Sequence, residues 1–266
     1  MKKLNFIVLV TAAMLALTGC NTAAEERITE VPLTQEANDG TETAVITKET
    51  ASPPATQIFL PEFFDTEVLQ PLRKAEAEEG AEPFTFNVLY SKPIGNYEVE
   101  VYRKQDDAET VYAAVNSGDI RYEVGRIGYS GSQGAEDFTI SEVSALGGTW
   151  IKITGSCGAN CPIAYYVQLD ELSGKAPLLL PIEAHTVEAD VDNDGIVEIV
   201  ATVGTAAETS IYKSSGGRIS IAQLNELMDA AVVIYEIETN TFQAEISEKH
   251  LSRWAFNGNQ LQWVPD

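Results

Sequence analysis

The chain is expected to fold mainly as antiparallel β-structure: an array of hairpins of propeller-like, sandwich or barrel type, with one or two short helices. Three observations predict this. From residue 84 onward, short runs rich in Val, Ile, Tyr and Thr alternate with clusters of Gly, Asn, Asp and Ser, the punctuation of strands and turns. Several of these clusters, among them Ser214-Ser215-Gly216-Gly217, Glu238-Thr239-Asn240-Thr241 and Asn257-Gly258-Asn259, supply the positive φ that tight hairpins need. The stretch from Ile58 to Asp266 is long enough to bury a substantial core.

The first residues carry an address. Met1-Lys2-Lys3 is a short cationic start, and Leu4 to Leu17 is an apolar stretch too short for an ordinary transmembrane helix. Leu17-Thr18-Gly19-Cys20 follows. This tetrapeptide, with that context on both sides, resembles the lipobox of bacterial lipoproteins. The resemblance implies a signal peptide over residues 1–19 and a diacylglycerol thioether on Cys20, which becomes the mature N-terminus. The implied location is a cell membrane, on its extracytoplasmic face. Acyl chains anchor at about 0.8 kcal/mol per buried CH₂, so two or three of them (palmitate-type chains) hold a protein firmly.

Residues 20–57 read as the lipidated Cys20 and an acidic tether. Asn21 to Gln57 contains no Phe, Tyr or Trp and has seven acidic residues against Arg27 and Lys48. Such a segment cannot bury enough apolar surface to offset its chain entropy, so a disordered spacer is expected. The whole chain holds 17 Lys and Arg against 40 Asp and Glu. With Lys2 and Lys3 lost in the leader, 15 against 40 remain. That balance excludes nucleic acid as a partner, since binding it requires basic patches. It also argues against a basic foot on anionic lipid.

In the body, residues 58–266, strands are predicted at Phe84–Tyr90, Tyr97–Arg103, Val111–Asn116, Ile120–Tyr129 and Phe138–Ser144. Further strands are predicted at Trp150–Ile153, Ala164–Leu169, Val187–Asp190, Val197–Val203, Ser210–Lys213 and Arg218–Ile221. Val232–Ile237, Phe242–Ile246, Leu251–Phe256 and Leu261–Val264 complete the set. Leu172-Ser173-Gly174-Lys175 is one more expected turn. Two helices are expected. Glu62 to Glu79 carries Phe63, Phe64, Val68, Leu69 and Leu72, with Pro71 as a break. Ser220 to Ala231 opens on Ser-x-x-Gln, a capping-box pattern, and puts Leu224, Leu227 and Met228 on one face.

Three cysteines are present, and assigning Cys20 to lipidation leaves Cys157 and Cys161. An even pair in an oxidising compartment suggests a disulfide closing a small loop. A reduced or redox-active pair is the alternative, as is a metal site, although zinc normally takes four ligands. His185 and His250 are the only histidines and neither is near in sequence.

The segment with the most chemistry is Ala189 to Val200. Asp190, Asp192 and Asp194 place carboxylates at alternate positions 1, 3 and 5, and Gly195 follows at 6. This spacing lets a tight loop wrap a hard cation with oxygen ligands. Ile196 would add its backbone carbonyl, and Glu198 would close the shell directly or through water. The loop resembles the calcium loop of FG-GAP and VCBS repeats, the Asp-x-Asp-x-Asp-Gly hairpin of integrin-type propellers. The resemblance implies a structural Ca²⁺. Ala201 stands where an EF-hand has its bidentate acid, and the loop occurs once, where propellers repeat it.

Signatures of catalysis are missing. Gly128 to Gly134 lacks the Gly-x-Ser-x-Gly spacing, and His185-Thr186-Val187-Glu188 has no second His in register. No Walker or Rossmann glycine pattern occurs. The chain therefore reads as a non-catalytic, calcium-stabilised binding or scaffold module of the cell envelope, facing an envelope protein or glycan. The alternative is a small envelope hydrolase acting on glycans through a carboxylate pair brought together only by the fold. Trp150, Tyr165, Tyr166, Trp254 and Trp263 would stack on sugar in that case, and otherwise pack strand faces.

Overall fold

The computed structural model describes residues 57–65, 69–75, 86–129, 138–158, 160–168, 176–247 and 250–265. Residues 1–56, with the expected signal peptide, Cys20 and nearly all of the tether, lie outside them, as does the turn expected at 172–175.

The chain is mainly β and forms four antiparallel sheets of five strands each. Each sheet takes four consecutive strands as an up-and-down meander. Sheet 1 uses β5 (Phe86–Ile94), β6 (Tyr97–Lys104), β7 (Asp107–Ser117) and β8 (Ile120–Tyr129). Sheet 2 uses β9 (Thr139–Ala145), β10 (Gly148–Ser156), β11 (Pro162–Gln168) and β12 (Leu178–Ile182). Sheet 3 uses β13 (His185–Ala189), β14 (Glu198–Val203), β15 (Glu208–Ser215) and β16 (Arg218–Gln223). After α1 (Leu224–Met228), the one helix among the described residues, sheet 4 uses β17 (Val232–Glu236), β18 (Thr241–Ser247), β19 (His250–Asn257) and β20 (Gln260–Val264).

The fifth strand of every sheet comes from one N-terminal strap. Its pieces are β1 (Ile58–Phe59), β2 (Phe64–Asp65), β3 (Gln70–Pro71) and β4 (Arg73–Lys74). They pair with β20, β16, β12 and β8, the last strand of sheets 4, 3, 2 and 1. The strap thus visits the sheets in reverse order of the meanders. The helix expected from Glu62 is absent where the chain is described: β2, β3 and β4 occupy that stretch. Its apolar residues serve different sheets instead of one helical face. Phe59 and Phe63 pack into the core of sheets 3 and 4, Leu69 into that of sheets 2 and 3, and Leu72 into that of sheets 1 and 2.

Three cores fill the spaces between consecutive sheets. Alternation along the strands of sheet 2 shows why. Ile151, Ile153 and Val167 point to the sheet 1 side, while Trp150, Ala164, Tyr166 and Leu180 point to the sheet 3 side. Both faces are buried, so these strands read as near-continuous apolar runs. Sheet 3 repeats the pattern, with Ile199 and Ala201 on one side and Val200 and Ile211 on the other. Among the described residues no core joins sheet 1 to sheet 4. Among the described residues the sheets pack in the order 1-2-3-4, and no closed barrel is present.

Turn chemistry matches the sequence. Gly216 and Gly217, both at positive φ, join β15 to β16 in the two-residue form that suits strand twist. Leu146 carries the same conformation at φ 54° between β9 and β10. A leucine there is strained. Its side chain is buried in the second core, and its N–H donates to the Val197 carbonyl at 2.7 Å, so packing against sheet 3 holds the turn. At the second expected helix, Ser220 is a β16 residue and caps nothing. Helix α1 starts only at Leu224, after Gln223, and has no side-chain cap.

One polar cluster sits inside the row. Lys152 on β10 donates to the Thr186 carbonyl at 3.0 Å and pairs with Glu188 at 2.7 Å, and the Tyr166 hydroxyl donates to the same carboxylate. Burial, reinforced by that carboxylate, holds the Tyr166 hydroxyl protonated far above its usual range. Removing Glu188 would leave Lys152 (side chain 11 % exposed) without its counter-charge. Glu188→Ala is expected to cost roughly 2–4 kcal/mol in chemical denaturation, a little below the fully buried case because Glu188 itself keeps some water contact. Lys152→Met, which removes the cation and keeps the stem, should cost clearly less. Equal losses would mean that packing, and not the charge pair, matters here.

Candidate metal loop

The loop 190–197 joins β13 to β14 at one end of sheet 3. It is folded by its own carboxylates. Asp190 accepts the N–H of Asp194 and of Gly195, both at 3.0 Å, and Asp194 accepts the N–H of Ile196 at 2.8 Å. Asn193 and Gly195 take positive φ, 59° and 87°, which closes so short a loop. Two anchors tie it down. Val191 is buried in the third core, and Asn240 of the β17–β18 turn donates to the Asp190 carbonyl at 3.0 Å.

Asp190, Asp192 and Asp194 each bring a carboxylate oxygen within 4.8 Å of the others. Oxygens on opposite sides of a calcium ion, at about 2.4 Å each, are separated by about that distance. Glu198, the first residue of β14, is fully buried behind them. Its Oε2 accepts the Val191 N–H at 3.0 Å, and its Oε1 has no hydrogen-bond partner. Asp192 Oδ1 is likewise buried and without one. Burial pushes the Glu198 carboxyl up to about 7, and the neighbouring Asp192 charge adds to this against the Val191 N–H. Two unsatisfied buried oxygens facing one acidic loop suit a hard cation. Ile196, expected to offer its backbone carbonyl, donates its N–H to Asp194 and leaves its side chain exposed. Lys213, which sequence spacing did not bring forward, reaches the loop from β15. It contacts Asp192, pairs with Asp194 at 2.7 Å and lies 3.6 Å from Glu198.

The other expected residues are dispersed. Cys157 and Cys161 meet in a disulfide-like contact at the β10–β11 turn, in keeping with one of the readings of the pair. The turn is also closed by the Cys157 N–H on the Cys161 carbonyl at 2.8 Å. Trp150, Tyr166 and Trp254 are buried in the cores, and Tyr165 and Trp263 pack against them, so these aromatics line strand faces. Two grooves border α1. One, of about 510 Å³, is lined by Leu60, Phe64, Ile221 and Leu227 with Glu62, Asp65 and Glu226. The other, of about 650 Å³, has Glu208, Glu226 and Asp229 on its walls. All five carboxylates are exposed.

Compared with protein-family models, curated proteins and solved structures, the chain matches none.

Proposed function

We propose that this chain is a lipoprotein anchored through Cys20 on the extracytoplasmic face of a cell membrane, and that its β body is a non-catalytic binding or scaffold module of the envelope, stabilised by calcium. The observation that carries the reading is the 190–198 loop, in which three aspartates converge in front of the fully buried Glu198. A bound Ca²⁺ would be held by Asp190, Asp192, Asp194 and Glu198, with the Ile196 carbonyl as a further donor. It would supply charge neutralisation and rigidity, and no reaction step.

The test is thermal unfolding of the full chain in chelator and across a calcium titration. At about 100 times the dissociation constant, binding to the native state adds ~2.7 kcal/mol. For a domain of this size that is a melting shift of roughly 5–10 °C. The shift should vanish in Asp192→Asn plus Asp194→Asn. A melting temperature indifferent to calcium would remove the metal from the reading. The anchor is tested separately: Cys20→Ser should move the protein out of the membrane fraction, and its persistence there would reject lipidation at that residue.

A further inference from the structure

The loop already contains a positive charge of its own. Lys213 stands in the middle of β15, opposite Ser220 of β16, and its side chain crosses to the loop between β13 and β14. The Nζ contacts Asp192 Oδ2, donates to Asp194 Oδ2 at 2.7 Å and lies 3.6 Å from Glu198 Oε1. The ammonium therefore sits where three of the four candidate carboxylate ligands meet. Asp190, the fourth, uses its oxygens on loop N–H groups.

One ammonium is an incomplete solution for this site. It brings one positive charge and three donors to a site with four carboxylates. Asp192 Oδ1 and Glu198 Oε1 are left buried with no hydrogen bond, and an unsatisfied buried acceptor is costly. A calcium ion takes six to eight oxygens and carries twice the charge. The lysine stem is long and flexible, and the side chain retains some exposure (20 %), so the ammonium can swing to water without disturbing β15.

We propose that Lys213 is the built-in counter-cation of this loop: it holds the loop in shape when no divalent ion is bound, and calcium enters by displacing its ammonium from Asp192, Asp194 and Glu198. This deepens the calcium reading above and rests on it. Two consequences follow. The loop keeps its form without metal, so calcium adds stability to a preformed site. Apparent affinity is lowered by the competition: an ammonium in place in roughly nine molecules of ten weakens binding about tenfold.

The experiment uses the full chain and calcium alone as the probe. First, lysine acylation by an N-hydroxysuccinimide ester is followed by peptide mass spectrometry through a calcium titration. Labelling of Lys213 is expected to rise several-fold as calcium binds, with the other lysines unchanged. Second, calorimetry compares the parent with Lys213→Met, which keeps the length and loses the charge, and with Lys213→Gln should the first variant fold poorly. The uncharged variants are expected to bind calcium about tenfold more tightly. Binding by the variants alone would also support displacement, with the lysine winning outright in the parent. Calcium binding in the parent with constant Lys213 labelling would overturn displacement and leave the metal site standing. Binding by neither parent nor variants would overturn both.

Discussion

Gly155→Ala is expected to unfold the chain some way towards room temperature, although it adds a single methyl group. Gly155 lies on β10, where sheet 2 passes close against β8 of sheet 1. A Cβ built there meets the Ile127 carbonyl oxygen at 2.0 Å and its carbon at 2.8 Å, against an ordinary contact of 3.4 Å or more. Both are backbone atoms, so no rotamer relieves the overlap. The two sheets would have to part by more than an ångström, opening the core that holds Val99, Ile151 and Ile153. Overpacking a core with side chains costs about 1–3 kcal/mol, and a backbone clash belongs above that range, at roughly 3–5 kcal/mol. For a domain of this size the melting temperature should fall by about 10 °C or more. Gly128→Ala is the control. It sits at the same crossing on β8, and its Cβ would meet the Ser156 carbonyl at 3.4 Å, an ordinary contact. Similar melting temperatures for the two variants would mean that the sheets are not held at this spacing.

That close approach also marks where sequence reading succeeded and where it stopped. The strands of the four meanders were legible because each is long enough to show β-branched and aromatic enrichment, and because turns such as Gly216-Gly217 punctuate them. Leu178–Ile182 was not among the predicted strands, and it contains Pro181, which cannot donate to a ladder. In the fold Pro181 lies beyond Leu178 and Leu179, the only β12 residues that the strap pairs, so the missing N–H is not needed for pairing there. The strap was misread for a different reason. Two-residue strands have no period, and Phe63, Leu69 and Leu72 imitate an apolar helix face only until a sheet is present for each. Ser220-x-x-Gln223 fits a capping box by letter, but Ser220 and Ile221 are already paired to β15 and to β2. The carboxylates of the candidate loop were legible from Asp190 to Glu198. Lys213 was not, because only the pairing of β14 with β15 brings a residue fifteen positions beyond Glu198 to the same carboxylates.

Removing the strap altogether, residues 57–75, should leave a chain that cannot hold a monomeric fold. Its pieces do two things at once. Each adds a fifth strand to a different sheet, and deletion would expose the backbone groups of β8, β12, β16 and β20 along their outer edges. Unprotected edges of this kind pair with other chains. The strap also contributes to all three cores: Phe59 packs at a tilt against Trp254 with ring centroids 5.1 Å apart, and Leu72 is 5 % exposed between sheets 1 and 2. Fully burying an apolar side chain is worth about 1.5–3 kcal/mol; with Leu72 buried and Phe59, Phe63 and Leu69 partly so, the four contribute several kcal/mol, with about 12 kcal/mol as a ceiling. That is comparable to the whole stability of an ordinary domain, about 5–15 kcal/mol. The shortened chain is expected to elute as aggregate in size-exclusion chromatography and to lose its cooperative melt. Single substitutions should separate the two roles. Leu72→Ala empties a buried site and should cost about 2–4 kcal/mol with the protein still monomeric. Arg73→Pro adds no cavity and should act mainly on the β4–β8 pairing. A shortened chain that remains monomeric and melts as the parent does would show that the four meanders hold together without the strap, and that the three cores are complete in themselves.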